Sequence, residues 1–311
     1  MSAAVTTVTG DMAVELAQGL SRPGIALIHE HLSCDLSSSF GPEYVLADEA
    51  VMVAELAAAG ESGVRLMVDC GNSGHGRDPL FLRRIAEASG MLIVASTGHY
   101  REGFFPTYVE AESAGQLAAR MVSEIRSGIE GTDVRAGAIA EIGTGGAEPT
   151  PLERKVFEAA AMAQAEAGVP LMTHTAEGAC WRQQLDMLRA GGVDLNRVVI
   201  GHMDCTGDGD AHRAIIDAGA WLGFDRINSL RWQSDDVRVN SLLGLIADGY
   251  AGRIVLSHDI ASTVRLRSGG GAGYTAIQDL LLPRLRDRGV SDADIVLLCS
   301  ANAWSLLGAG S

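Results

Sequence analysis

Short apolar runs recur along this chain and alternate with longer segments of helical periodicity. Within a run the apolar residues are almost continuous, whereas strands with one solvated face alternate apolar and polar residues. The pattern is therefore typical of parallel strands that are buried on both faces. Eight runs are predicted to be strands, at residues 24–28, 64–70, 91–96, 136–142, 169–173, 198–200, 220–224 and 254–256.

Helical patterns fill the intervals between these runs. Several of them stop at Gly60, Gly168, Gly191 or Gly219, and glycine readily takes the left-handed conformation that follows a helix. The predicted helices cover residues 48–59, 79–88, 116–127, 151–167, 180–190, 210–218, 235–247 and 275–288.

Eight strand–helix units in 311 residues, without a break in composition, predict a single-domain (β/α)8 TIM barrel over residues 1–311. Residues 1–20 are expected to form an N-terminal strand pair outside the repeat, and residues 291–308 a closing helix. The alternative is a doubly wound open sheet, which usually has a glycine-rich phosphate loop after its first strand. Here the first strand is followed by His29-Glu30-His31 instead.

The composition of the chain limits the kinds of molecule that the protein is expected to bind. The net charge of −15 repels phosphate backbones and anionic lipid, so we expect a small-molecule substrate and neither a nucleic-acid nor a membrane partner. A homodimer is compatible with the sequence. The five cysteines include no C-x-x-C pair, and the chain starts without a basic segment followed by an apolar one, so we expect a cytoplasmic protein with reduced thiols.

Histidines and carboxylates stand where the predicted strands end. In a barrel these carboxyl ends meet on one rim, which carries the catalytic groups. His29 and His31 point to the same face of strand one, because side chains alternate along a strand. Four histidines and two carboxylates are too many for one tetrahedral zinc ion and fit two divalent ions. The residues concerned are His29, His31, Glu141, His174, His202 and Asp259.

Each of these histidines, taken alone, is also compatible with a buried core residue whose hydrogen bonds are satisfied. Five of the eight histidines of the chain, however, stand at predicted strand ends, which favours metal binding. His258 points away from Asp259 along strand eight and is expected to be structural. His75 and His212 are expected at the surface, and His99 in a loop.

The ordered motifs LIHEHL, AEIGT, THT, IGHMD and LSHDI resemble those of the phosphotriesterase family of the amidohydrolase superfamily. The resemblance implies a barrel with two divalent metals, zinc being expected and manganese or cobalt also suitable. It assigns His29, His31 and Asp259 to one metal, and His174 and His202 to the other. The bridging ligand in the family is a carbamylated lysine or a glutamate. The single lysine, Lys155, lies inside a predicted helix, so Glu141 is expected to bridge.

The expected activity follows from this resemblance. A metal-bridging hydroxide would attack a carboxyl ester, with a lactone as the first choice, and Asp259 would take up the proton. Tyr100 and Arg226 match substrate-contacting positions in lactonases of the family, although a surface role for each is an open alternative. Other candidates are an amidase acting on a small N-acyl substrate, a phosphotriester hydrolase and a catalytically idle metal-binding protein. The role of the loop at 261–274 stays open.

Overall fold

A computed structural model describes residues 4–13 and 24–308 of the chain. Its eight-stranded parallel sheet places each strand next to its neighbour in the sequence of strand–helix units. This order, with helices between the strands, confirms the predicted (β/α)8 barrel. The strands are β1 (Ala4–Thr7), β2 (Gly10–Ala13), β3 (Ile25–Glu30), β4 (Cys34–Asp35), β5 (Val45–Leu46), β6 (Val64–Asp69), β7 (Leu92–Thr97), β8 (Ala136–Gly143), β9 (Leu171–His174), β10 (Val198–Ile200), β11 (Trp221–Phe224) and β12 (Ile254–Leu256).

The helices occupy the predicted intervals. The larger ones begin as their sequences suggest: Asp48 and Asp78 accept N–H groups of the first turn, and Thr150 forms a capping box with Glu153. The helices are α1 (Ser37–Phe40), α2 (Glu49–Glu61), α3 (Pro79–Ser89), α4 (Tyr108–Ala111), α5 (Ala114–Arg126), α6 (Pro151–Ala167), α7 (Trp181–Ala190), α8 (Gly209–Asp217), α9 (Asp235–Ala247), α10 (Leu282–Asp287), α11 (Asp292–Val296) and α12 (Asn302–Gly308).

Two predicted helices differ in detail from the structure. Gly168 ends α6 in the left-handed conformation, with φ 70°, as predicted. Gly60, by contrast, lies inside α2, which continues to Glu61, and the positive φ falls on Gly63 at 96°. The last predicted helix is not uniform either, since a π-helical turn at Ile277–Leu281 precedes α10. Helical periodicity does not distinguish these hydrogen-bonding patterns over a single turn.

The continuous apolar runs are explained by burial on two sides. Alternate residues of a strand face opposite sides of the sheet. In β3, Leu27 packs in the cluster that contains Leu56 of α2, whereas Ala26 and Ile28 pack in the barrel interior together with Trp304 of α12. Full burial of one such large apolar side chain contributes about 1.5–3 kcal/mol to folding.

Segments near both ends of the chain lie against the barrel. The strands β1 and β2 pair antiparallel, and residues 1–3 and 14–20 of the predicted N-terminal segment lie outside the described residues. Helix α12 contacts β1, β3 and β12, and the side chain of Asn302 donates to the carbonyls of Ala251 and Ile254. Helix α12 thus covers the interior of the barrel.

Side chains join the first and last barrel strands. The Ser257 hydroxyl accepts the N–H of His29 at 2.9 Å, and the buried Glu30 accepts the N–H groups of His258 at 2.8 Å and Ile260 at 3.3 Å. A buried carboxylate without partners would cost several kcal/mol, so these bonds both satisfy Glu30 and hold the two strand ends together. They fix the carboxyl rim on which the candidate site stands.

Candidate metal centre and active site

The carboxyl ends of the barrel strands bring the six predicted ligands into one buried group. The Glu141 carboxylate, at the end of β8, is their common neighbour, because each of the four histidines has a ring nitrogen within 4.0 Å of one of its oxygens. The six residues are His29, His31, Glu141, His174, His202 and Asp259.

One half of the group is the triangle of Glu141, His174 and His202. Glu141 Oε1 lies 2.6 Å from His174 Nδ1 and 3.0 Å from His202 Nε2, and the two nitrogens are 2.8 Å apart. Burial lowers the pKa of His174 to about 4, against the opposing effect of Glu141, so this imidazole is neutral near pH 7. The triangle therefore presents one carboxylate oxygen and ring nitrogens to a common point.

The other half contains His29, His31 and Asp259. His29 Nε2 lies 3.3 Å from Glu141 Oε1, and His31 Nε2 lies 3.1 Å from Asp259 Oδ1 and 4.0 Å from Glu141 Oε2. Nε2 of His29 is buried and has no hydrogen-bond partner among the described residues. Glu141 thus belongs to two groups of close ligand atoms, one on each side of it.

Asp225, which follows β11, is a further site residue that was not among those predicted from the sequence. Its Oδ1 lies 2.7 Å from His202 Nδ1, and its Oδ2 lies 3.1 Å from His29 Nδ1. Each contact leaves the Nε2 atom of the ring turned toward Glu141. The available signal was its place in GFDRIN, directly after a predicted strand and before Arg226.

The donor set fits divalent cations. Burial by itself raises the pKa of the Glu141 carboxyl, but the imidazoles of His174 and His29 outweigh burial and hold that pKa well below its usual range. Glu141 is therefore a carboxylate. Carboxylate oxygens and imidazole nitrogens that converge in this way are the ligands that zinc, manganese and cobalt accept. Lys155 lies on α6 and donates to the carbonyls of Glu110 and Glu112, well outside this group.

Tyr100 and Arg226 both lie against the six residues. The Tyr100 hydroxyl is 3.1 Å from His174 Nε2, and Arg226 Nε donates to Asp259 Oδ2 at 2.9 Å. Burial opposes ionisation of Asp259, but the Arg226 guanidinium holds the pKa of its carboxyl well below the usual range. Burial raises the pKa of the Tyr100 hydroxyl, which is therefore protonated near pH 7.

A cavity of about 430 Å³ opens above this group. Its walls combine apolar and aromatic side chains, such as Leu36, Phe40 and Trp232, with arginines, and Glu141, His31 and Asp259 are exposed toward it. This size and lining suit a small organic molecule with polar substituents.

Two histidine predictions are wrong. His75 is buried, with its ring centroid 4.5 Å from that of Tyr100 and 5.8 Å from that of His31, so it forms part of the site wall. His212 is buried under β11, where its Nε2 lies 2.8 Å from the Met203 carbonyl oxygen. Both lie in segments that look polar locally, and only packing against distant strands covers them.

His258 has the structural surroundings that its orientation along strand eight suggests. Its Nε2 accepts the N–H of Ile277 at 3.2 Å, and its Nδ1 lies 2.8 Å from Glu30 Oε1. Because Nε2 accepts this hydrogen bond, the ring proton is on Nδ1, which donates a hydrogen bond to Glu30. His258 therefore supports the rim and does not face the cavity.

A (β/α)8 barrel with histidines and carboxylates converging at its carboxyl rim defines the class of metal-dependent hydrolases. The comparison with known families makes this specific: the phosphotriesterase family matches residues 8–306, and the chain belongs to that family. Its members are binuclear metal-dependent hydrolases, and the clusters around Glu141 could bind such metals. No helix in the described part of the chain has the length and apolar character needed to span a membrane.

Three relatives illustrate the similarity. The phosphotriesterase homology protein of Escherichia coli (strain K12) is 39% identical over 280 residues, 90% of this chain and 96% of that protein. Its crystal structure with phosphate in the active site superposes with a TM-score of 0.90 at 38% identity, covering 91% of this chain and 98% of the other.

The second relative is an N-acetyltaurine hydrolase of Tetraodon nigroviridis, 31% identical over 273 residues, 80% of this chain and 75% of that protein. The third is the structure titled "Molecular Engineering of Organophosphate Hydrolysis Activity from a Weak Promiscuous Lactonase Template". It has a TM-score of 0.85 and 32% identity, and covers 99% of this chain and all of the other.

Proposed function

We propose that this protein hydrolyses carboxyl esters, with lactones as its substrate class, at a binuclear metal centre. The observation that carries the proposal is the position of the Tyr100 hydroxyl, 3.1 Å from His174 Nε2 and inside the cavity above Glu141. The similarity to a lactonase template supports it. Family membership favours an enzyme over an idle metal-binding protein.

The ligands in this proposal are the six residues of the sequence analysis, with Glu141 shared. His29, His31 and Asp259 would hold one cation, and His174 and His202 would hold the other. When bound, such cations lower the pKa of water toward neutrality and draw electron density from a carbonyl oxygen.

Tyr100 supplies a hydrogen bond to the substrate. A ring nitrogen that binds a cation carries no proton, so a neutral His174 with Nδ1 toward Glu141 has its proton on Nε2. That proton is donated to the Tyr100 oxygen, which leaves the hydroxyl hydrogen of Tyr100 free for another acceptor. A donor at this place stabilises the negative charge that develops on a carbonyl oxygen during ester hydrolysis.

Asp259 and Arg226 act as a pair. Asp259 takes the proton released by the attacking water and passes it to the alcohol oxygen of the opening ester. Arg226 Nε, at 2.9 Å from Oδ2, holds the carboxylate in position while the guanidinium faces the cavity. Within a lactone the leaving alcohol stays tethered, so the relay of one proton from water through Asp259 to the alcohol oxygen completes the ring opening.

Amide hydrolysis is the second candidate. Four arginines line the cavity and would suit an anionic substrate: Arg101, Arg226, Arg231 and Arg265. One relative is named for the hydrolysis of N-acetyltaurine, which is an amide with an anionic group. Phosphotriester hydrolysis is the third, and we place it as a side activity.

The test is a panel of γ- and δ-lactones, N-acyl amino acids and dialkyl aryl phosphates, assayed with zinc-loaded protein at equal concentrations. Lactones should give the highest kcat/KM. The isosteric variant Asp259→Asn and free zinc serve as controls. If lactones are opened no faster than in these controls while N-acyl amino acids are cleaved, the lactone proposal is wrong and the amidase proposal replaces it.

A further inference from the structure

Two arginines of the cavity lack an acidic partner. Arg101, in the loop after β7, and Arg231, in the loop after β11, both line the cavity. Neither has a carboxylate within ion-pair distance among residues 4–13 and 24–308, although Arg101 also forms a hydrogen bond with the Tyr100 side chain. Glu153 lies on the same side as Arg101, but its Oε1 accepts the N–H groups of Gly145 and Glu102. In a chain with a net charge of −15, acidic partners are abundant, so cations left free at one cavity point to a ligand.

Aromatic rings hold both guanidiniums in place. Cζ of Arg101 lies 5.2 Å from the ring centroid of Tyr100 and 4.7 Å from that of Phe104, and Cζ of Arg231 lies 4.8 Å from that of Trp232. Stacking restricts the side chain while the N–H donors at the edge of the guanidinium stay available. An anion that binds there meets donors whose positions are already restricted, which reduces the entropy cost of binding.

The other charges of the cavity favour the same sign of ligand. Arg226 also stacks on Trp232, with Cζ 4.8 Å from the centroid, and Arg265 donates to the carbonyls of Asp259 and Ile227. Three carboxylates oppose them: Glu141 and Asp259 at the floor, which bound cations would neutralise, and Glu177, which is exposed and lines the cavity without a partner in the described part of the chain. The rim is thus cationic even though the whole protein is acidic, and it attracts anions locally.

We propose that Arg101 and Arg231 form an anion subsite, and that the substrate is an ester or lactone bearing a carboxylate, sulfonate or phosphate group away from the bond that is cleaved. The inference rests on the proposed function for the reaction itself. The subsite is a matter of binding, so it makes a separate prediction.

The test compares a γ-lactone that bears a carboxylate side chain with its uncharged carboxamide analogue. Wild-type enzyme should prefer the carboxylate, and the double variant Arg101→Gln/Arg231→Gln should lower the carboxylate-to-carboxamide ratio of kcat/KM about tenfold or more, chiefly through KM. The matched control is Arg182→Gln. Arg182 stacks on Trp181, with Cζ 4.2 Å from the centroid, but does not line the cavity, so its ratio should equal that of the wild type. Glu177→Gln should raise the ratio, because it removes one of the opposing charges.

A ratio in the double variant that equals the wild-type ratio overturns the subsite and leaves the proposed ester hydrolysis intact. If neither lactone is opened, the proposed hydrolysis fails, and the subsite is judged on succinate binding to the zinc-loaded protein. The dissociation constant should then be about fivefold or more weaker in the double variant than in wild type and in Arg182→Gln. Equal dissociation constants would overturn the subsite in that case too.

Discussion

The Asp225 carboxylate contacts His202 at two points, the imidazole ring and the backbone N–H. The Oδ1 atom of the carboxylate lies 2.7 Å from Nδ1 of the imidazole and also accepts the N–H of the same residue at 2.9 Å. His202 has a positive φ of 59°, a conformation that is costly for a residue with a Cβ and that needs support from its surroundings. The carboxylate thus fixes both the backbone and the ring at this position.

Replacing Asp225 with Asn should weaken metal binding about 10- to 100-fold, because an amide has one accepting oxygen and so cannot keep both the hydrogen bond to His202 Nδ1 and the contact with His29 Nδ1. Competition of the purified protein against a chelator of known zinc affinity measures the effect. Asp217→Asn is the control, since Asp217 is exposed and accepts a hydrogen bond from the Tyr250 hydroxyl far from the ligands. Wild-type affinity in Asp225→Asn would show that the carboxylate does not position the ligands.

Removing the hydroxyl of Tyr100 tests its role as a donor to the substrate. Tyr100→Phe should lower kcat/KM for lactones about tenfold, the value of one hydrogen bond that forms in the transition state, and leave the metal content unchanged. Steady-state kinetics together with elemental analysis of the same sample measures both. Tyr250→Phe is the matched control, because the hydroxyl of Tyr250 bonds Asp217 outside the cavity. Loss of metal from Tyr100→Phe would point to a structural role instead.

Asp259→Asn should reduce kcat by at least about 100-fold while much of the metal stays bound, since the variant keeps the size of the side chain but cannot take up a proton. Arg226→Gln should cause a smaller loss, because Asp259 keeps its carboxylate. A larger loss for Arg226→Gln than for Asp259→Asn would contradict the proposed division of roles.

His99 should make the protein sensitive to acid. It is buried, and burial lowers its pKa to about 4, with Arg77 and Arg120 acting in the same direction and Glu112 opposing them. Its Nε2 lies 3.1 Å from the Tyr108 hydroxyl. In the unfolded chain histidine titrates near 6.5, so the unfolded state takes up the proton first as pH falls. The contribution of neutral His99 to the free energy of unfolding is therefore complete above about pH 6.5 and is lost as pH approaches 4.

Protonation of His99 in the unfolded chain should lower the free energy of unfolding of the protein by about 2 kcal/mol between pH 7.5 and 5. Urea unfolding at the two pH values, in wild type and in His99→Gln, isolates this contribution as the difference between their pH dependences. Parallel pH dependences would show that His99 is protonated in the folded state.

The sequence predicted most of the fold because its signals are local. Continuous apolar runs located all eight barrel strands, and the observed ends differ by no more than two residues, as when β3 continues to Glu30. Glycine located the end of a helix for the same reason at Gly168, which follows α6. The helix around residues 277–281 was less accurate, since a π-turn and an α-turn have nearly the same side-chain periodicity.

What the sequence determined by itself was the barrel, the rim on which strand-end histidines stand, and Glu141 as the acidic residue at the end of β8 where no lysine is available. Only the tertiary structure decided which residues touch. It placed Asp225 between His29 and His202, buried His75 beside Tyr100, and left Arg101 and Arg231 without acidic partners. Periodicity depends on neighbours a few positions apart and so is present in any short segment. The contacts of Asp225 join residues whose chain separation is set only when the sheet closes, and hydrogen bonding and burial are decided at that step.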